Sequence, residues 1–170
     1  IISFSICAQK EVDDQSNWSD RIYFGGGLGF NGGTDGFGNR YFNISVSPIV
    51  GYMVTSQFSV GSGISYQHIG YPDINFKYVQ YGIMPFLRYN FNELFLTTEF
   101  NYINLPNLSY SGGSYNEDSR IFRQRLLAGV GYSKPVGRNA RLNAVAMYDL
   151  LYRRPSVFYS PWVVRVFVSF

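Results

Sequence analysis

Seven ionisable side chains fall on one parity of an alternating pattern: Arg88, Glu99, Arg123, Arg125, Arg141, Asp149 and Arg165. Two carboxylates among five guanidiniums suit ion pairing inside a confined space, where each charge needs a partner to offset its desolvation. Adjacency along the chain points Glu99 toward Arg88 and toward Arg123 or Arg125. Arg165, with Arg141 as second candidate, points toward Asp149. Read this way the charges are a structural plug, and a proton or ion path is the sharper alternative. The size of the enclosing space decides between the two.

Other chemistry finds little support. His68 is the only His and Cys7 the only Cys, so no Cys/His cluster of metal-binding spacing exists and neither a metal nor a cofactor is expected. Gly27-Leu28-Gly29-Phe30-Asn31-Gly32 matches G-x-G-x-x-G, but a dinucleotide site needs a strand, a tight turn and a helix. Here the glycines lie within a strand and more glycine and Asn follow. Asn17, Asn43 and Asn107 each open an Asn-x-Ser triplet, a pattern short enough to arise by chance.

The elements that must hold these residues follow from composition and period. The chain has 170 residues, 15% charged and 19% aromatic, with 18 Gly. Soluble domains carry roughly 25% charge, so this surface is short of groups that favour water. The apolar and aromatic content excludes disorder, and one Cys excludes a disulfide scaffold. A net charge of +3 without a Lys/Arg run gives no argument for nucleic acid. From Tyr41 to Pro72 there is no Asp, Glu, Lys or Arg. Polar and small residues nonetheless fall at alternate positions there, which is the period of a strand and not of a spanning helix.

Residues 1–8, apolar and ending Ile6-Cys7-Ala8, read as a signal-peptide remnant with a cleavage site before Gln9. Lipid attachment at Cys7 is the alternative. Residues 9–20 form a polar lead-in, and 21–170 the folded body. Eight alternating segments follow. They run from Arg21 to Phe30, Tyr41 to Met53, Gln57 to His68 and Lys77 to Asn90. The second half adds Leu94 to Tyr102, Arg123 to Tyr132, Arg141 to Tyr152 and Trp162 to Phe170. Short links at Val54–Ser56, Phe91–Glu93 and Ser133–Asn139 alternate with longer ones at Asn31–Arg40, Ile69–Phe76, Leu105–Arg120 and Arg153–Pro161.

Strands of about ten residues with alternating short turns and long loops make a transmembrane barrel. A soluble barrel would place apolar residues inside and charge outside, and seven ionisable side chains in its interior would crowd a small apolar core at prohibitive desolvation cost. The expectation is an all-β, eight-stranded antiparallel up-and-down transmembrane β-barrel. Its charges face the lumen, and Tyr52, Phe58, Tyr66, Tyr89, Tyr102, Tyr132, Tyr152 and Trp162 form aromatic girdles near the strand ends. Small barrels that modify lipid A use a His with a Ser and an acid near the outer rim. His68, with Ser62, Ser65 and Asp73 nearby in sequence, points outward by parity and singles out no nucleophile, so no catalytic residue is expected. The polar stretch Ser111 to Asp118 is a solvated tip or a contact loop.

Ser47-Pro48-Ile49-Val50-Gly51-Tyr52, Gly82-Ile83-Met84-Pro85-Phe86-Leu87-Arg88-Tyr89 and the closing Trp162-to-Phe170 strand resemble the small outer-membrane β-barrel family common in Bacteroidota, with an OmpA/OmpX-like barrel. The resemblance spans roughly Ser19 to Phe170. It implies residence in the bacterial outer membrane, with both termini periplasmic and four longer loops outside. It implies contact with lipid and lipopolysaccharide, and Pro48 and Pro85 at local irregularities. It also implies that the last strand, Trp162, Val164, Val166, Val168 and Phe170, acts as the signal read by the barrel-assembly machinery. No peptidoglycan-binding domain would follow the barrel. The function so implied is a non-enzymatic structural or accessory protein. The alternative is a dedicated subunit of a larger outer-membrane complex for secretion, nutrient uptake or barrel assembly. A lipid A-modifying enzyme or a narrow channel ranks below both.

Overall fold

The computed structural model describes residues 18–34, 38–111, 114–136, 140–153 and 160–170. The signal remnant expected at 1–8, and all but the end of the lead-in, lie outside the described residues. One 3-10 turn, Trp18–Arg21, delivers the chain to β1 (Ile22–Thr34). The strands that follow are β2 (Arg40–Met53), β3 (Phe58–Tyr71), β4 (Phe76–Ile83), β5 (Phe86–Phe91), β6 (Leu94–Ser111), β7 (Ser114–Val136), β8 (Ala140–Asp149) and β9 (Trp162–Ser169). Every pairing among them is antiparallel, and each joins sequence neighbours apart from β3 with β5, β4 with β6, and the closure of β1 on β9.

Nine strands make eight staves, because β4 and β5 are one stave interrupted at Met84 and Pro85. A single register against β3 runs from Tyr71↔Phe76 to Phe58↔Tyr89. Proline has no N–H to donate, so the ladder breaks there without slipping. Gly63 and Met84 still exchange backbone hydrogen bonds of 3.1 and 2.9 Å, and Phe100 N–H donates to the Pro85 carbonyl at 2.9 Å. Pro48 behaves alike: the β2–β3 ladder skips from Val46↔Tyr66 to Ile49↔Gly63 in unchanged register. The two irregularities are gaps in hydrogen bonding, not bulges.

Closure sets the geometry. The ladders carry Tyr23 to Gly51, Gly61, Phe86, Glu99, Leu127 and Asp149. Asp149 N–H meets the Pro161 carbonyl, and the β9–β1 register then returns the path to Gly33, ten residues above its start. A stagger of ten over eight staves tilts the strands by about 40°, using the usual rise and spacing of strands.

Alternation puts the apolar parity outside. Phe24, Leu28, Ile44, Val50, Ile64, Leu87, Leu96, Val130 and Val166 are exposed, while Ser59, Arg88, Glu99, Asn101, Asn143 and Asp149 are buried. The interior is not purely polar, however. Phe95, Leu127, Val145 and Met147 form a buried cluster against Val163 and Phe167. They share the parity of the charges and fill the lumen between them.

The segment expected as a loop at Leu105–Arg120 is strand. β6 continues to Ser111, β7 starts at Ser114, and the ladder runs to Ser111↔Ser114 with one register shift at Asn107/Leu108. The result is a two-stranded ribbon standing beyond the barrel.

Close contact between β7 and β8 depends on Gly129, where an added Cβ would run into the Ala146 carbonyl oxygen and the Met147 Cα. Gly129→Ala is expected to destabilise the barrel by about 1–3 kcal/mol, read as a lower urea midpoint in detergent micelles. An unchanged midpoint would mean that these strands spread at no cost.

Candidate functional site

The lumen is where the ionisable residues meet. Glu99 on β6 and Arg165 on β9 have two strands between them in the wall, and they meet by spanning the lumen. Arg165 Nη1 donates to Glu99 Oε2 at 2.9 Å and Nη2 to Oε1 at 3.1 Å. Asn101 Nδ2 adds a third donor to Oε1 at 2.7 Å. A buried carboxylate with two guanidinium contacts and an amide has its lone pairs well used, which offsets desolvation.

The second ion pair sits higher. Arg125 Nε donates to Asp149 Oδ2 at 2.8 Å. Leu127 faces Asp149 in the ladder, so Arg125 is its diagonal neighbour, within reach of a long side chain. Asp149 Oδ1 also accepts from Leu151 N–H at 3.1 Å, and Arg125 Nη2 reaches the Ser160 carbonyl at 3.4 Å. This pair anchors both roots of the connection between β8 and β9.

These partners differ from the ones that chain adjacency suggested. Arg165 is level with Val145, four residues below Asp149 on β8, and Arg141 is level with Ser169 at the opposite end of that strand. At about 3.3 Å per residue neither reaches Asp149. Arg141 instead donates to the Ser133 hydroxyl at 2.8 Å and to its carbonyl at 3.0 Å. Arg88 does not pair with Glu99. Its Nε donates to Asn90 Oδ1 at 2.9 Å, its Nη2 crosses the lumen to Asn143 Oδ1 at 3.0 Å, and its guanidinium lies 3.7 Å from the Phe95 ring centre. Arg123 is exposed on the ribbon above the barrel and joins neither carboxylate. Among the described residues the lumen therefore holds two separate ion pairs, Arg88 among neutral groups, and Arg141 against Ser133 at the lower end.

Asn143, Phe95 and Met147 were missing from the sequence-based set, although they share parity with the charges that were in it. Their burial follows from closure alone. Tyr23 and Ser59 hydroxyls, 3.2 Å apart, add another strut between strands that are not neighbours.

His68 lies on the outward parity of β3, its ring 6.0 Å from that of Phe42. Asp73 is engaged elsewhere: Arg40 Nη2 and backbone N–H contact it at 2.6 and 2.7 Å. That ion pair ties the start of β2 to the 3-10 turn Pro72–Ile74. Hydrogen bonds from the Arg40 side chain, then from its backbone, hold the Asp73 carboxyl below the usual carboxylate range. Among the described residues no group of three His, Cys, Asp or Glu side chains could hold a metal ion.

No family model matches the chain, and no curated protein matches it by sequence. Barrel shape is common to families of different function, so the argument for function rests on the two surfaces of this barrel.

Arg165→Met leaves Glu99 buried without its counter-charge, and is expected to cost about 3–5 kcal/mol. Glu99→Gln together with Arg165→Met should recover part of that loss. Urea unfolding of the four proteins of the cycle measures the coupling, and strict additivity would mean that the two side chains do not support each other.

Proposed function

We propose that this chain is a non-enzymatic integral outer-membrane β-barrel protein with a structural or accessory role. One observation carries the reading: an apolar belt around the barrel, bounded by aromatic rows, with the charges enclosed. Tyr52, Phe91 and Tyr132 are exposed toward the short-turn end, and Tyr66, Tyr81, Tyr148 and Trp162 toward the other. Tyr148 and Trp162 stack edge-on at 5.1 Å, and Tyr102 and Phe122 face to face at 4.8 Å. Trp162 and Phe170 end one outward row eight residues apart, about 20 Å along the axis at this tilt. That is close to the roughly 25 Å band of outer-membrane barrels.

Between the rows the outward positions carry no ionisable side chain among the described residues; Ser62, Thr98 and Gln124 are the polar ones. A charge at mid-bilayer costs roughly 2–4 kcal/mol, which accounts for the pattern. A soluble monomer rarely exposes apolar patches beyond a few hundred Å², and a belt around a whole barrel is of another order. In this reading the short turns and both barrel ends of the chain are periplasmic. The four longer connections face outward toward lipopolysaccharide. The outward row Trp162, Val164, Val166, Val168 and Phe170 is available to the assembly machinery. The lumen, plugged by Phe95, Leu127, Val145 and Met147, supports structure over conduction.

The full chain refolded in detergent should migrate faster on unheated than on heated denaturing gels, and should enter lipid vesicles so that the belt is shielded from an aqueous quencher. A chain that stays monomeric and dispersed in detergent-free buffer would overturn the reading.

The ribbon favours a second reading, a dedicated subunit of a larger outer-membrane complex. β4 pairs with β6 only as far as Asn104, and β8 pairs with β7 from Leu127. Beyond those points both ribbon edges lack a strand partner among the described residues, a form suited to strand addition by another chain. Replacing residues 108–117 by a two-residue turn should leave heat-modifiable migration intact and remove a partner co-purified in mild detergent. A lone barrel with or without the ribbon would favour the free-standing role.

A further inference from the structure

We propose that the lumen binds the carboxylate of a single-chain fatty acid at Arg88, its hydrocarbon chain lying in a lateral opening between β1 and β9. The proposal rests on the reading that the outer belt faces lipid.

Arg88 is 8% exposed, and the groups that contact its guanidinium among the described residues are neutral: Asn90, Asn143 and the Phe95 ring. Both lumen carboxylates are taken, Glu99 by Arg165 and Asp149 by Arg125. Among the described residues no carboxylate pairs with Arg88. Buried charges are normally paired, because neutral dipoles do not cancel their field. This one keeps a positive potential that favours an anion.

A cavity of about 30 Å³ adjoins it, with Arg88, Arg165, Glu99 and Thr97 on its polar side and Phe86 and Phe95 among its apolar walls. That volume holds about one or two waters, the scale of a carboxylate group. Two guanidiniums against one carboxylate leave the cavity net positive. Ser47 and Ile49 from β2 and Val145 and Met147 from β8 also line it, and Gly26 and Gly27 from β1 with Phe167 from β9 complete the wall, so part of the cavity abuts the line where the barrel closes.

That line is sealed only at its lower end. The β1–β9 ladder consists of Gly25↔Ser169 and Gly26↔Val168, plus the mutual hydrogen bonds of Phe24 and Phe170. Above it the strands splay. A Cβ at Gly25 would lie 2.7 Å from the Val168 carbonyl oxygen, and one at Gly27 would lie 3.2 Å from that of Val166. At Gly29 no β9 atom comes within 4 Å. The outward side chains flanking the gap, Leu28 at 85%, Phe30 at 76% and Val164 at 76%, are the most exposed large apolar residues of the barrel wall. Gly27 and Gly29 put no side chain on its inner side. An apolar slot leading to a cationic cavity is complementary to a long hydrocarbon chain ending in a carboxylate.

The test uses the full chain, carrying Cys7→Ser, in zwitterionic micelles, with carboxyl-labelled laurate followed by carbon-13 resonance. One saturable site is expected, binding laurate more tightly than acetate and weakened about tenfold or more by Arg88→Met. Leu28→Cys with Val166→Cys places cysteines where the register sets them opposite. Oxidising that pair should block laurate and reduction restore it, a test that leaves Arg88 unchanged should Arg88→Met fail to fold. Acetate binding as tight as laurate would overturn the proposal in favour of a free-anion site. Laurate binding indifferent to Arg88→Met in a folded protein, or to the bridge, would also overturn it. Because binding is read in micelles, failure here leaves the vesicle experiment to judge the membrane reading separately.

Discussion

The contact between Glu99 and Arg165 exists because the sheet closes. The two residues belong to strands with two others between them in the wall, so their 2.9 Å separation is a distance across the lumen. Closure with a stagger of ten brings them level, and the narrow bore of an eight-stranded barrel leaves side chains as its filling. The same closure sets Arg88 against Asn143 and Tyr23 near Ser59. These struts enclose the apolar cluster of Phe95, Leu127, Val145 and Met147. The interior works as a mixed core, with apolar packing at the middle and charge pairing beside it.

Backbone satisfaction shapes the wall where proline interrupts it. Pro85 splits one stave into β4 and β5 while the flanking carbonyls and N–H groups keep their partners. Pro106 has no N–H for the Val79 carbonyl opposite it in the register, and Arg120 Nη2 occupies that carbonyl at 2.9 Å. The Arg120 guanidinium also lies 5.0 Å from the Tyr81 ring centre, at the upper aromatic row. A side chain thus completes the ladder where the ribbon leaves the barrel. Open backbone is costly to bury, and here the wall turns irregular where polar atoms can cover it.

Much of this fold was legible before any coordinates. Alternation along the first strand, Phe24, Leu28 and Phe30 against Gly25, Gly27 and Gly29, separated the two faces correctly. The short turns between β2 and β3 and between β5 and β6 fell where they were expected, whereas β7 runs through Ser133–Val136 of the third and residues 137–139 lie outside the described ones. The ribbon was misread because Leu105–Arg120 is rich in Asn, Ser and Gly, residues that favour turns when composition is weighed alone. The ladder itself, paired from Leu105↔Ile121 to Ser111↔Ser114 apart from one shift, outweighs that preference. The site was legible as a set of residues and illegible as a set of pairs. Adjacency in strand order gave Arg125 to Glu99, whereas the register lifts Arg125 to Asp149.

Sequence alone determined which side chains face in and which face out, because a strand's period of two does not depend on what it pairs with. It therefore settled that Arg88, Glu99, Arg125, Asp149 and Arg165 share an enclosed face with glycine, serine and asparagine. Only the tertiary structure decided their levels, since height in a barrel depends on stagger summed over every ladder. One residue of slip anywhere would reverse a strand's faces, and two would move a charge by about 7 Å. That is enough to exchange one ion pair for another, and to leave Arg88 without a carboxylate partner among the described residues.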